Sequence, residues 1–172
     1  MATEKLKKIR LLLLDVDGVL TDGSIVYDDR GTEIKRFNVK DGLGIRLLMQ
    51  SGIQVGIITG RSSGALRHRC ENLGIKHLYE AVTDKTEALQ DILQRTAVRK
   101  DETAFMGDDL PDLSIMKQVG LAITVADAPQ ELRTTADMTT MAKGGQGAVR
   151  EICEKILKAQ ERWDQILTHY TT

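Results

Sequence analysis

The chain has almost no excess charge of either sign, since 24 basic and 25 acidic residues leave a net charge of -1 at pH 7. Aromatic residues are scarce too, at 3%. With neither a basic stripe nor rings interleaved among basic residues, nucleic-acid binding has no electrostatic support, and a small partner is expected. Cysteine is nearly absent. Cys70 and Cys153 lie far apart and lack the spacing of a zinc site, which points to reduced, inert thiols. Long apolar runs are also missing: the run over 9–14 is interrupted by Arg10, and 1–10 has neither a signal-peptide core nor a cleavage site. No membrane span and a cytoplasmic location are the expectation. At 172 residues, one domain over 1–172 suffices, long enough to bury roughly two thirds of the surface that its unfolded form exposes.

What is present is concentrated in Leu11-Leu12-Leu13-Leu14-Asp15-Val16-Asp17-Gly18-Val19-Leu20-Thr21-Asp22-Gly23, an apolar strand ending in two carboxylates one residue apart. Alternation along an extended backbone lets Asp15 and Asp17 converge on one point. Carboxylates that close repel each other unless a cation or a shared proton compensates, so a metal site is the natural reading. Taken alone, the same motif could merely solvate a strand end and cap the following turn.

Apolar runs alternate with helical patterns along the chain. Strands are expected over about 9–14, 54–58, 75–78, 103–106 and 121–124, with helices over 42–50, 63–73, 86–96 and 111–119, and a long closing helix over about 148–167. This alternation predicts an α/β fold, a doubly wound parallel sheet covered by helices on both faces. Ser51-Gly52 and Gly74 stand as helix stops and Pro111 as a first-turn residue. One stretch breaks the pattern: 23–39 reads as an inserted β-hairpin, with Asp28 and Asp29 as turn formers. The glycines in Gly144-Gly145-Gln146-Gly147 either let the final segment swing toward a neighbouring site, with Arg150 free for an anion, or only introduce the last helix.

Three further polar clusters stand at or beyond element ends: Thr59-Gly60-Arg61, Lys85, and Gly107-Asp108-Asp109-Leu110-Pro111-Asp112. In this order the four clusters resemble the motifs of the haloacid dehalogenase superfamily of phosphotransferases. The intervals from Asp17 to Thr59 and from Gly60 to Lys85 leave no room for a folded cap domain, so the site is expected to be open in the monomer. Capless members carrying Phe37-Asn38-Val39-Lys40-Asp41-Gly42, Arg67-x-Arg69-x-x-x-Leu73-Gly74 and Gly144-Gly145-x-Gly147-Ala148-Val149-Arg150-Glu151 form the 3-deoxy-D-manno-octulosonate 8-phosphate phosphatase family, which this chain resembles over about 9–157.

The resemblance implies a chemistry. Asp15 would be the nucleophile, forming an aspartyl-phosphate, and Asp17 the acid for the leaving oxygen and base for the incoming water. Mg2+ would be held by Asp15, Asp108 and the backbone carbonyl of Asp17, with Asp109 and Asp112 supporting them from behind; whether Asp109 reaches the ion is left open. Thr59 and Gly60 would bind phosphoryl oxygens, with Lys85 as a fixed charge that also holds Asp15. Singly, Thr59 could cap a helix and Lys85 could be solvated. Arg61 and Arg69 are candidates for the carboxylate of a sugar acid, although surface ion pairs are an equal reading. The family implies a phosphorylated eight-carbon sugar acid as substrate, a role in lipopolysaccharide biosynthesis, and a homotetramer joined by hairpins. Two alternatives remain: a phosphatase for sialic-acid-like nonulosonate 9-phosphates, disfavoured because Arg61 replaces the glutamate common there, and a catalytically idle interaction module, disfavoured because Asp15, Asp17, Lys85 and Asp108 are all present.

Overall fold

Four consecutive leucines make the middle of the sheet, because only a strand covered on both faces can bury every residue of such a run. The computed structural model describes residues 2–171. A short helix, α1 (Ala2–Lys8), leads into β1 (Leu11–Leu14), followed by the hairpin strands β2 (Val26–Tyr27) and β3 (Glu33–Ile34). Then come α2 (Val39–Gln50), β4 (Gln54–Ile58), α3 (Gly64–Leu73), β5 (His77–Tyr79), α4 (Lys85–Thr96) and β6 (Thr103–Gly107). The chain closes through α5 (Leu113–Met116), β7 (Leu121–Thr124), α6 (Gln130–Thr135), β8 (Met138–Thr139), α7 (Ala148–Ala159) and α8 (Trp163–Thr171).

Six parallel strands form the main sheet in the order β5-β4-β1-β6-β7-β8, and β2 pairs with β3 in a separate antiparallel hairpin. The connections step outward from β1 to β5 and then return to β6 beside β1. The strand order therefore reverses between β1 and β6, and a crevice opens there at the carboxyl ends. Register makes the crevice specific. Leu14 is level with Ile57 of β4 and Met106 of β6, so the residues just beyond these strands meet in one place.

The α/β reading and the hairpin hold, and no cap domain interrupts the described residues. Local chemistry moved several boundaries. Helix α2 begins at Val39 rather than at 42 because the Asn38 side chain accepts from Lys40 N at 2.8 Å and caps it. The helix expected over 111–119 is only a 3-10 turn, Leu110–Asp112, and the short α5. The long closing helix is broken: Glu161 adopts φ 58, and α7 and α8 are separate. Helices α1 and α6 and strand β8 were not expected. No helix among the described residues is long and apolar enough to cross a membrane.

The 144–147 stretch packs against the loop after β1 and leads into α7. Gly145 N donates to Val19 O at 2.9 Å, and a Cβ at Gly144 would collide with the Gly18 carbonyl oxygen. Gly144 and Gly145 therefore allow close packing against the loop after β1, and Gly147, at φ 103, introduces α7. Arg150 is occupied as well, with its backbone N–H on Asp41 Oδ1 at 2.7 Å and its Nε on Glu154 Oε1 at 2.7 Å.

Candidate active site

Asp15 directly follows β1, and its N–H donates to Met106 O at 3.0 Å, extending the ladder with β6 by one residue. The chain then folds sharply, with the N–H groups of Val19, Leu20 and Thr21 all donating to Val16 O. Gly18 sits in this turn at φ 89, and a Cβ there would collide with the Asp108 carboxylate. Glycine thus serves two needs at once, a left-handed backbone and room for the acidic group that arrives from β6.

Lys85 is the first residue of α4, where Asp84 caps the helix by accepting from Thr86 N at 2.7 Å. Its Nζ donates to Asp15 Oδ1 at 2.8 Å and to Asp112 Oδ1 at 2.6 Å, and all three residues are buried. Burial alone would lower the lysine pKa, but the two carboxylates outweigh it and raise it, so the ammonium stays charged. Asp112 is fully committed: its other oxygen accepts from Asp108 N at 2.9 Å and Asp109 N at 3.4 Å, which folds the loop after β6 into its 3-10 turn. Asp109 itself is exposed and accepts from Leu110 N.

Carboxylate oxygens of Asp15, Asp108 and Asp112 lie within 4.8 Å of one another. One lysine faces three acids. Burial first, and then the neighbouring carboxylates, push Asp108 up to about 8, and burial likewise pushes Asp15 up to about 6, against the pull of Lys85. Among the described residues Asp108 has no ion pair. A donor set of hard oxygens whose negative charge one lysine only partly offsets fits a hard divalent cation, and Asp15 and Asp108 are the members whose oxygens are least occupied. The Asp17 carboxylate lies outside this cluster; it is bound by Lys35 and approached by Arg61 Nε at 3.5 Å.

Thr59 follows β4, buried, with its N–H on Tyr79 O at 2.9 Å and its carbonyl accepting from Val82 N at 3.1 Å. A cleft of about 280 Å³ brings Thr59, Gly60 and Arg61 together with Asp15, Asp17 and Lys85. Three larger hollows, about 460, 340 and 290 Å³, lie away from this cluster, against α8, at the start of β4 and beside the hairpin at Val26 and Ile34. They carry none of this chemistry.

The structure separates the two candidate arginines. Arg61 lines the cleft, with its Nη2 on Glu33 Oε2 at 2.6 Å and 3.5 Å from Tyr27 Oη, and these partners raise its pKa. Arg69 does not join the site: its Nη2 donates to Asn38 O at 3.0 Å and its guanidinium lies over Phe37 at 5.6 Å. It is used in fastening α3 to the start of α2. Conversely, Lys35 and Glu33 were missed. The available signal was their i, i+2 spacing on one hairpin arm, which puts both side chains on the same face.

Residues 77–152 match the haloacid dehalogenase-like hydrolase family. Over 161 residues, 94% of this chain and 86% of the relative, the chain is 48% identical to the 3-deoxy-D-manno-octulosonate 8-phosphate phosphatase of Escherichia coli strain K12. The chain belongs to the 3-deoxy-D-manno-octulosonate 8-phosphate phosphatase family. A Moraxella catarrhalis phosphatase of that name, solved in complex with a magnesium ion, a phosphate ion and a KDO molecule, superposes with a TM-score of 0.96 at 43% identity, over 98% of this chain and 97% of that one. The Yersinia pestis enzyme of that name superposes with a TM-score of 0.94 at 46% identity, over 95% and 88% of the two chains. The similarity to these relatives thus extends over nearly the whole chain, well beyond residues 77–152.

Proposed function

We propose that this chain is a magnesium-dependent phosphatase that hydrolyses 3-deoxy-D-manno-octulosonate 8-phosphate to the free sugar acid and phosphate. The observation that carries the reading is a division between two neighbouring carboxylates. Asp15 is tied to Lys85 and packed among acids, whereas Asp17 sits two residues on with a separate set of partners. In this reading Asp15 attacks and Asp17 moves a proton.

In this mechanism Asp15 attacks phosphorus, the P–O bond to the sugar breaks, and Asp17 gives its proton to the departing oxygen. Asp17 then takes a proton from the water that attacks the aspartyl-phosphate, which releases phosphate and regenerates Asp15. A carboxyl group pushed up to about 6 is still mostly ionised at neutral pH, as a nucleophile must be. Lys85 keeps the Asp15 carboxylate in one orientation, and Thr59 and the Gly60 N–H bind the phosphoryl oxygens. Asp15, Asp108 and the Asp17 backbone carbonyl would hold Mg2+, which when bound supplies positive charge between the anionic ester and the anionic nucleophile. Lysine and arginine at the cleft suit a substrate with both phosphate and carboxylate, and we place the enzyme in the cytoplasm.

A substrate panel tests the reading. The octulosonate 8-phosphate is expected to show the highest kcat/KM, and a clear preference for a nonulosonate 9-phosphate would transfer the assignment to that neighbouring group.

We further propose a homotetramer joined through the hairpins. Ile25, Val26, Tyr27 and Ile34 are between 48% and 57% exposed, and a two-stranded hairpin with bare apolar side chains is marginal in water by itself. Symmetric packing of such faces removes them from solvent. Replacing Ile25 and Ile34 by glutamate leaves the monomer's buried residues untouched, so light scattering should report smaller species that are still folded. A double variant that remains tetrameric would rule the hairpin out as the interface.

A further inference from the structure

Asp17 is held from the hairpin. Lys35 Nζ donates to Asp17 Oδ1 and lies 2.7 Å from Glu33 Oε1, with the lysine side chain only 3% exposed. Glu33 Oε2 accepts from Arg61 Nη2 at 2.6 Å, and Arg61 Nε stands 3.5 Å from Asp17 Oδ2. Asp17, Lys35, Glu33 and Arg61 therefore alternate in charge around a ring, drawn from the end of β1, the hairpin arm and the loop after β4. Within this ring the two oxygens of Asp17 are unequal: Oδ1 is bound by the ammonium, whereas Oδ2 is buried and makes no hydrogen bond.

We propose that Lys35 and Glu33 are positioning residues for Asp17, with Lys35 holding Oδ1 and so fixing the rotation of the carboxyl group at the wall of the cleft where it exchanges a proton with the substrate. A charge-assisted bond from a nearly buried ammonium fixes a carboxylate more firmly than a solvated one could, because water is not there to compete. Glu33 is needed because it balances Lys35 and also anchors Arg61, so the ring stays neutral and the lysine cannot turn away to a lone anion. The hairpin thereby serves the active site of its own chain, apart from any role between subunits. This inference rests on Asp17 being the acid for the leaving oxygen.

The test measures leaving-group release in a single turnover of the Mg2+-loaded enzyme, with the octulosonate 8-phosphate, whose alkoxide needs a proton, and with p-nitrophenyl phosphate, whose phenolate does not. Lys35→Met is expected to slow the sugar phosphate by about 10²-fold and the aryl phosphate by less than about tenfold, with little change in the concentration for half-maximal rate. Lys35→Arg should recover part of the loss. The double variant Glu33→Gln/Lys35→Met keeps the net charge of the ring, guards against misfolding of the single variant, and should show the same leaving-group contrast. Equal slowing of both substrates, or a loss confined to the half-maximal concentration, would overturn the proposal and make Lys35 a structural or substrate-holding cation. Asp17→Asn runs alongside. If it shows no contrast between the substrates, the acid role itself fails and the clamp with it; if it shows the contrast and Lys35→Met does not, only the clamp fails.

Discussion

Asp15→Asn is expected to abolish turnover, by roughly 10⁴-fold or more, while the protein stays folded. The substitution removes the attacking oxygen anion and one arm of the cation site with almost no change in side-chain volume. The amide oxygen can still accept from Lys85 Nζ, so the buried lysine keeps two partners where it had Asp15 and Asp112. Stability should therefore be held, and relief of repulsion among Asp15, Asp108 and Asp112 acts in the same direction. Phosphate release, trapping of the phospho-enzyme and circular dichroism check the three parts. Release near the wild-type rate in a folded Asp15→Asn protein would mean that another group attacks phosphorus.

Removal of divalent metal should be equally severe: a chelator stops phosphate release and Mg2+ restores it, because the crowded acids otherwise repel an anionic ester. The same charge crowding predicts a pH dependence of folding stability. Asp108 is raised from 3.8 to about 8 and Asp15 from 3.8 to about 6. In the metal-free protein the folded state thus holds protons that the unfolded state has released. For these two groups stability is greatest below about pH 4 and is lost as pH rises toward 8. A cation that binds only the ionised carboxylates reverses that loss. The rise in Tm on adding Mg2+ should therefore grow from pH 5 to pH 8, and Asp108→Asn should flatten the growth. A Tm increment independent of pH in the wild type would show that these acids do not hold the ion.

Local regularities made much of the fold legible. The leucine run could only be a buried strand, Gly74 ends its helix at φ 79 as its position suggested, and Asp28 does form a turn, accepting from Arg30 N and Thr32 N. The elements that escaped notice are short or interrupted. Helix α1 spans 7 residues and β8 spans 2, too few for periodicity to emerge from the background. The break at Glu161 has no glycine or proline to announce it. The 3-10 turn at Pro111 results from Asp112, whose side chain is committed to Lys85 and to the loop backbone. No local pattern contains that tertiary demand.

The same boundary runs through the site. Sequence alone determined that Asp15, Thr59, Lys85 and Asp108 would meet, because each stands at a strand end or helix start and a parallel sheet brings its carboxyl ends to one crevice. Which carboxylates crowd together, and which stands apart with its own cations, was decided only by tertiary structure. Side-chain direction depends on partners distant in the chain: Lys35 reaches Asp17 across 18 positions, and Lys85 reaches Asp15 across 70. The two arginines show the physical reason most directly, since a guanidinium binds whichever acceptor the fold presents. For Arg61 that acceptor is Glu33 in the cleft; for Arg69 it is a backbone carbonyl outside it.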